Sequence, residues 1–286
     1  MNLVDHIISK QIEWALNKNL ELTGSHGNRG RKVYTINVKD NLFHTLNDQT
    51  RMDIEKGDGG ELKGNKDKQA KMQALHSSSA LGINIFDYWR GSPDISIITS
   101  SCGLSRANTK LKGEIRFEQQ FSIDDRFRKS PNIDVVIYLI GERFKAFAIE
   151  CKFTEAYSSY GHGGVDVKYF ENDEIWQGLS ATKQLAQEIS PDDESFKHLH
   201  AAQLIKHILG LNRKFGHSRY RLLYLWYDTC GEQGFHHRKE IEKFAGIVRS
   251  DGVVFQETTY QYLIVRLAKY REDHSKYIKY LTERYL

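Results

Sequence analysis

The chain has 286 residues, 40% of them apolar and 12% aromatic, so it can build the core of one large domain or two small ones and is read as a folded globular protein. Cys102, Cys151 and Cys230 lie far apart, which excludes a disulfide framework and a four-ligand zinc site and points to a reducing, cytoplasmic setting. The formal net charge of +4 does not by itself imply a polyanion partner, Asp5, Lys10 and Glu13 interrupt any signal-peptide core, and no stretch approaches the roughly 18 uncharged apolar residues that span a membrane.

Leu3, Ile7, Ile8, Ile12 and Leu16 recur at helical spacing and predict an opening amphipathic helix. Thr23 to Gly64 is rich in Gly, Asn, Asp and Lys and reads as loops with one short strand near Val33 to Val38. A helix is expected from Ala70 to Trp89, stopping before Gly91-Ser92-Pro93. Three strands follow, Glu114 to Ile123, Ile133 to Ile140 and Phe144 to Phe153, the last two joined by a tight hairpin at Gly141-Glu142-Arg143. Beyond an acidic loop, Ala201, Leu204, Ile208, Leu211 and Phe215 mark a helix, and Arg221 to Tyr227 a strongly apolar strand. A helix at Phe235 to Val248, a strand at Val253 to Glu257 and one closing helix carrying Leu263, Leu267, Tyr270, Ile278 and Leu281 complete the chain. The alternation predicts an α/β fold, a mixed central β-sheet flanked by helices.

Charge is unevenly spread. Glu155 to Glu194 holds nine acidic residues against Lys168 and Lys183, whereas Ser195 to Tyr227 holds six Lys/Arg, four His and no acid. The second block, with Lys206, Arg213 and Lys214 on its helix, could face phosphates or form a solvated helix face. His198 with His200 and His236 with His237 have poor spacing for a helical zinc pair and are assigned no site.

If the hairpin is centred on Glu142, Asp134 faces Glu150, Lys152 points to the same side, and Cys151 points to the opposite layer. Two carboxylates and an ammonium then converge between apolar neighbours, an arrangement that is costly unless the charges pair or hold a cation. Hard carboxylate oxygens suit Mg²⁺, and Lys152 is suited to orient an attacking water or stabilise a pentacovalent phosphate. The competing reading is a salt bridge closing the hairpin. The tripeptide pattern also occurs in Glu61-Leu62-Lys63 and Asp166-Val167-Lys168, but only at 150–152 does it end an apolar strand with a second acid opposite.

Pro131-Asn132-Ile133-Asp134, fifteen residues, then Glu150-Cys151-Lys152 resembles the PD-(D/E)XK nuclease superfamily, with Asn132 and Ile133 standing between the Pro and the Asp. Gly59-Gly60-Glu61-Leu62 with His76-Ser77-Ser78-Ser79-Ala80-Leu81 looks like a bacterial branch of it. The resemblance implies a restriction-endonuclease-like core over residues 59–286 after an N-terminal helix and loop extension at 1–58. It implies an endonuclease that hydrolyses DNA, of restriction or repair type, with Asp134, Glu150 and Lys152 catalytic and Asp134 and Glu150 holding Mg²⁺ or Mn²⁺. The family often adds a glutamate ahead of the Asp, for which Glu61 and Glu118 are the candidates. It also often carries a polar helix residue near the site, here the stripe Gln203, His207 and Lys214, a second set of candidates for touching nucleic acid. Cleavage of both strands of a duplex suits a homodimer. The alternatives are a nucleic-acid-binding protein that keeps the fold without catalysis, and a nuclease for RNA or branched DNA.

Overall fold

The computed structural model describes residues 3–27, 29–57, 60–65, 67–92, 95–128, 130–158 and 161–286. The expected domain boundary at 58–59, Gly59 of the Gly59-Gly60-Glu61-Leu62 stretch and Pro93 of the expected helix stop lie outside the described residues.

Helix α1 (Leu3–Asn17) buries Ile7, Ile8, Trp14 and Ala15. Two short strands, β1 (Leu22–Thr23) and β2 (Tyr34–Thr35), pair antiparallel, and helices α2 (Asp48–Lys56), α3 (Ser78–Phe86) and α4 (Ser96–Ser101) follow. The stretch read as loops therefore contains a helix. Asn47 caps α2 by accepting from Thr50 N at 2.8 Å, yet the residues the helix buries are Thr50, Asp53 and Ile54, so it carries little apolar periodicity.

The helix expected from Ala70 starts only at Ser78, where the Ser77 side chain accepts from Ala80 N. Its first expected turns are claimed by the N-terminal segment. Asn41 Nδ2 donates to the carbonyls of Met72 and Ala74 at 2.8 Å each, and Leu75 N donates to Val33 O at 2.9 Å. Backbone groups satisfied this way are not available to a helical ladder.

The central sheet contains β3 (Gly113–Gln120), β4 (Asn132–Leu139) and β5 (Ala146–Lys152), an antiparallel meander, extended by β8 (Tyr220–Trp226) and β9 (Phe255–Thr259), both parallel to β5. It is a five-stranded mixed sheet in the order β3-β4-β5-β8-β9, flanked by helices as in a restriction-endonuclease-like core. A separate two-stranded ribbon joins β6 (His162–Gly163) to β7 (Asp192–Asp193). Helix α5 (Ser180–Glu188) occupies the acidic stretch, and helices α6 (Ala201–Phe215) and α7 (Glu232–Ser250) lead into β8 and β9. The expected closing helix is two, α8 (Tyr260–Leu267) and α9 (Ser275–Tyr285). No described helix is long and apolar enough to cross a membrane.

Helix α6 lies on one face of the sheet, where Tyr220 Oη donates to Ile208 O at 3.5 Å and the Tyr138 and Phe215 rings meet. Helix α3 lies on the other, where a Cβ placed on Gly82 would sit 3.5 Å from Cys151 Sγ. The edge strand β3 is covered by α2. The N-terminal segment is locked to α9 by Arg284, whose buried guanidinium donates to Gln11 Oε1 at 3.0 Å and Asn41 O at 2.9 Å and stacks 4.0 Å from the Trp14 ring.

Candidate active site

The register of β4 against β5 places the charged residues. Val135↔Ile149, Val136↔Ala148, Ile137↔Phe147 and Tyr138↔Ala146 are all centred on Glu142, so one step further Asp134 comes opposite Glu150. On the other side of β4, Asp134 lies between the pairs Phe117↔Val135 and Gln119↔Ile133, which brings Glu118 opposite it. Glu118 has φ 50°, a left-handed backbone rare for a residue with a side chain. Glu118, Asp134 and Glu150 thus come from three neighbouring strands, and the charges of Glu150 and Glu118 both act on Asp134.

Each charge has a distinct environment. Glu150 is only 1% exposed, its Oε1 is 2.7 Å from Lys152 Nζ and its Oε2 is 2.9 Å from His207 Nε2. Burial alone would push its carboxyl up, but the Lys152 and His207 partners outweigh this and hold it at about 2. Burial opposes charge on Lys152 as well, and Glu150 and Asp134 overcome that, so its ammonium is held firmly protonated. Asp134 is the reverse case. Its Oδ2 accepts from Cys151 N at 2.7 Å, yet burial first, then the charges of Glu150 and Glu118, push its carboxyl well above the usual range. The Lys152 charge and the Cys151 N–H act the other way on Asp134 but do not outweigh these effects.

The structure separates the remaining sequence candidates. Gln203 accepts from Lys152 Nζ at 3.0 Å through Oε1, one helical turn ahead of His207. His207 is not on an outward phosphate-facing stripe, because its ring is fully buried against Glu150. Glu61 pairs with Lys71 at 3.2 Å, and the carboxylates acting on Asp134 are Glu150 and Glu118. Arg213 is held at the β3–β4 loop, donating to Asp125 Oδ1 at 2.7 Å and Ser122 Oγ at 3.1 Å. Lys214 is exposed, and partly buried Lys206 lies near Lys168, with burial and then that lysine lowering its basicity.

Sequence reasoning did not anticipate the surroundings of α6. The rings of His162 and His200 lie 4.6 Å apart near Lys152, and the His200 side chain caps α6 by accepting from Gln203 N at 3.1 Å. His198 Nδ1 meets Ala156 O at 2.7 Å and His237 Nε2 meets Tyr224 Oη at 3.0 Å, both buried. No sequence signal distinguishes these histidines from exposed ones.

No curated protein and no solved structure matches the chain. The family model described as "Restriction Endonuclease associating with ARP" matches residues 10–286, which includes α2, the whole central sheet and every residue of the candidate site. A match over nearly the full chain is decisive for membership, and the protein therefore belongs to this restriction endonuclease family.

Proposed function

We propose that the protein is a nuclease of the PD-(D/E)XK type that hydrolyses DNA phosphodiester bonds with a divalent metal ion. The observation that carries the reading is the convergence of Asp134, Glu150 and Lys152 at adjoining ends of β4 and β5, with Lys152 Nζ 2.7 Å from Glu150. The family description supports an endonuclease and DNA as its substrate.

The donor set fits a hard cation. Asp134 is a buried carboxylate pressed by two others, and the Lys152 charge and the Cys151 N–H offset this only in part, so a further positive charge beside it would relieve the repulsion. Among the described residues no three His, Cys, Asp or Glu side chains form a metal-holding group. A pair of carboxylates is still a usual protein contribution to Mg²⁺, which keeps several waters. Asp134 and Glu150 would hold Mg²⁺ or Mn²⁺, with Glu118 as a third acid at the rim. The chemistry such a cation supplies when bound is charge neutralisation at the phosphate and a more acidic water. Lys152 places a fixed positive charge where negative charge develops on the phosphorus oxygens. Gln203, accepting from the same ammonium, restricts its direction.

The test is incubation of the purified chain with supercoiled plasmid, linear duplex and single-stranded DNA in Mg²⁺ or in EDTA. Nicking or linearisation in Mg²⁺ that stops in EDTA is expected. Full activity in EDTA, or no cleavage of any of the three, overturns the proposal.

A further inference from the structure

His207 is a polar side chain placed where an apolar one would cost less. Its ring is fully buried, its Nδ1 has no hydrogen-bond partner among the described residues, and its one polar contact there is Glu150 Oε2 at 2.9 Å. Burying an imidazole beside α6's apolar residues is unfavourable unless a partner repays the loss of water, and here that partner is a carboxylate. The helix also approaches closely enough to make the contact. At Gly210, three residues on, an added Cβ would fall 2.7 Å from Phe121 O, so α6 sits hard against the chain leaving β3. Glu150 is consequently gripped from two directions, by Lys152 at Oε1 and by His207 at Oε2.

We infer that His207 is a positioning residue that fixes the Glu150 carboxylate for cation binding, and that it does not contact nucleic acid. The inference rests on the metal-dependent reading above. Partners that orient a ligating carboxylate typically contribute roughly 10- to 100-fold to metal affinity. Removing the imidazole leaves Oε2 without its donor and lets the carboxylate turn towards Lys152 alone.

The experiment titrates the full chain with Mn²⁺, follows unbound Mn²⁺ by electron paramagnetic resonance, and measures duplex DNA binding in EDTA. His207→Leu and His207→Asn both remove the donor at Glu150, one keeping bulk and the other polarity, so loss of the fold in one leaves the other to decide. His207→Gln keeps an N–H that can reach. Expected is a roughly 10- to 100-fold loss of Mn²⁺ affinity in the Leu or Asn variant, a smaller loss in the Gln variant, and unchanged DNA affinity in EDTA. Wild-type Mn²⁺ affinity in the Leu or Asn variant, or weakened DNA binding in EDTA, overturns the inference. If the wild-type protein itself binds no Mn²⁺, the metal-dependent reading fails and takes the inference with it.

Discussion

Asp53 grips Arg116 with both carboxylate oxygens, Oδ2 lying 2.9 Å from Nε and Oδ1 2.6 Å from Nη2. The same Oδ2 accepts from Phe117 N at 3.2 Å, a backbone donor that edge strand β3 would otherwise present to another chain. Helix α2 is thereby fastened to the strand carrying Glu118, and a Cβ on Gly57 at the helix end would lie 3.3 Å from the Glu118 side chain.

Asp53→Asn should therefore destabilise the fold markedly. Removing one partner of a buried ion pair costs about 3–5 kcal/mol, and partial exposure of Arg116 places this case near 3. Burial raises the Asp53 carboxyl, but hydrogen bonds from Arg116, the Phe117 backbone and Gln49 outweigh it and leave it below its ordinary value. A depressed carboxyl stabilises above the unfolded-state value, and that contribution is lost as pH falls through the folded value. Urea midpoints should fall on acidification in the wild type and less steeply in Asp53→Asn. Equal slopes would show that Asp53 does not set the acid response.

Lys152→Ala should abolish cleavage, by about 100-fold or more for one lost transition-state contact, while duplex affinity in EDTA stays nearly unchanged. Gel-shift and cleavage assays on the same preparation measure both. Parallel loss of binding would mark Lys152 as an anchor for the phosphate backbone.

On α6 the basic residues should not contribute equally to DNA binding. Lys214 is exposed, whereas Arg213 is occupied by Asp125 and Ser122. Replacing Lys206 and Lys214 by Gln should flatten the salt dependence by up to about one unit per lost phosphate contact, and Arg213→Gln should leave it unchanged. A slope that responds only to Arg213 would move the DNA path towards the β3–β4 loop.

Two helical glycines should respond oppositely to alanine. At Gly82 the new methyl would meet Cys151 Sγ at 3.5 Å, an ordinary contact, so the gain in helix propensity, up to about 1 kcal/mol, should show as a higher Tm. At Gly210 it would meet Phe121 O at 2.7 Å, so α6 must move and Tm should fall. Cleavage should weaken in the second variant alone, since Gln203 and His207 ride on the same helix.

The strands and the hairpin register were legible because β4 and β5 are long runs of Val, Ile, Ala and Phe around one turn, and alternation then fixes which residues share a face. The hidden elements owe their stability to distant polar groups. Helix α2 turns Asp53 inwards, and α5 receives its N-terminal cap from Asp251, which accepts from Ala181 N at 3.0 Å and Thr182 N at 2.7 Å. Gln203 and His207 were legible as a polar stripe but not in their direction, since a stripe facing water and one facing a buried carboxylate have the same spacing.

The Arg284 contacts make a seam between the two ends of the described chain. Helices α1 and α9 run side by side, with Lys18 Nζ 2.8 Å from Glu283 and Lys10 Nζ 3.3 Å from Leu286 O, and Gln11 is 273 positions from Arg284. Closing so long a loop adds little entropic cost, about 0.6 kcal/mol per doubling of length. Its mechanical effect is larger. Tension between residues 3 and 286 would act on the contacts that join α1 to α9, and through Tyr285, whose carbonyl accepts from Tyr227 Oη at 3.0 Å and whose ring packs on Phe153, it would reach the ends of β8 and β5 as well, so the seam ties the two ends of the described chain to the strand ends beside Glu150 and Lys152.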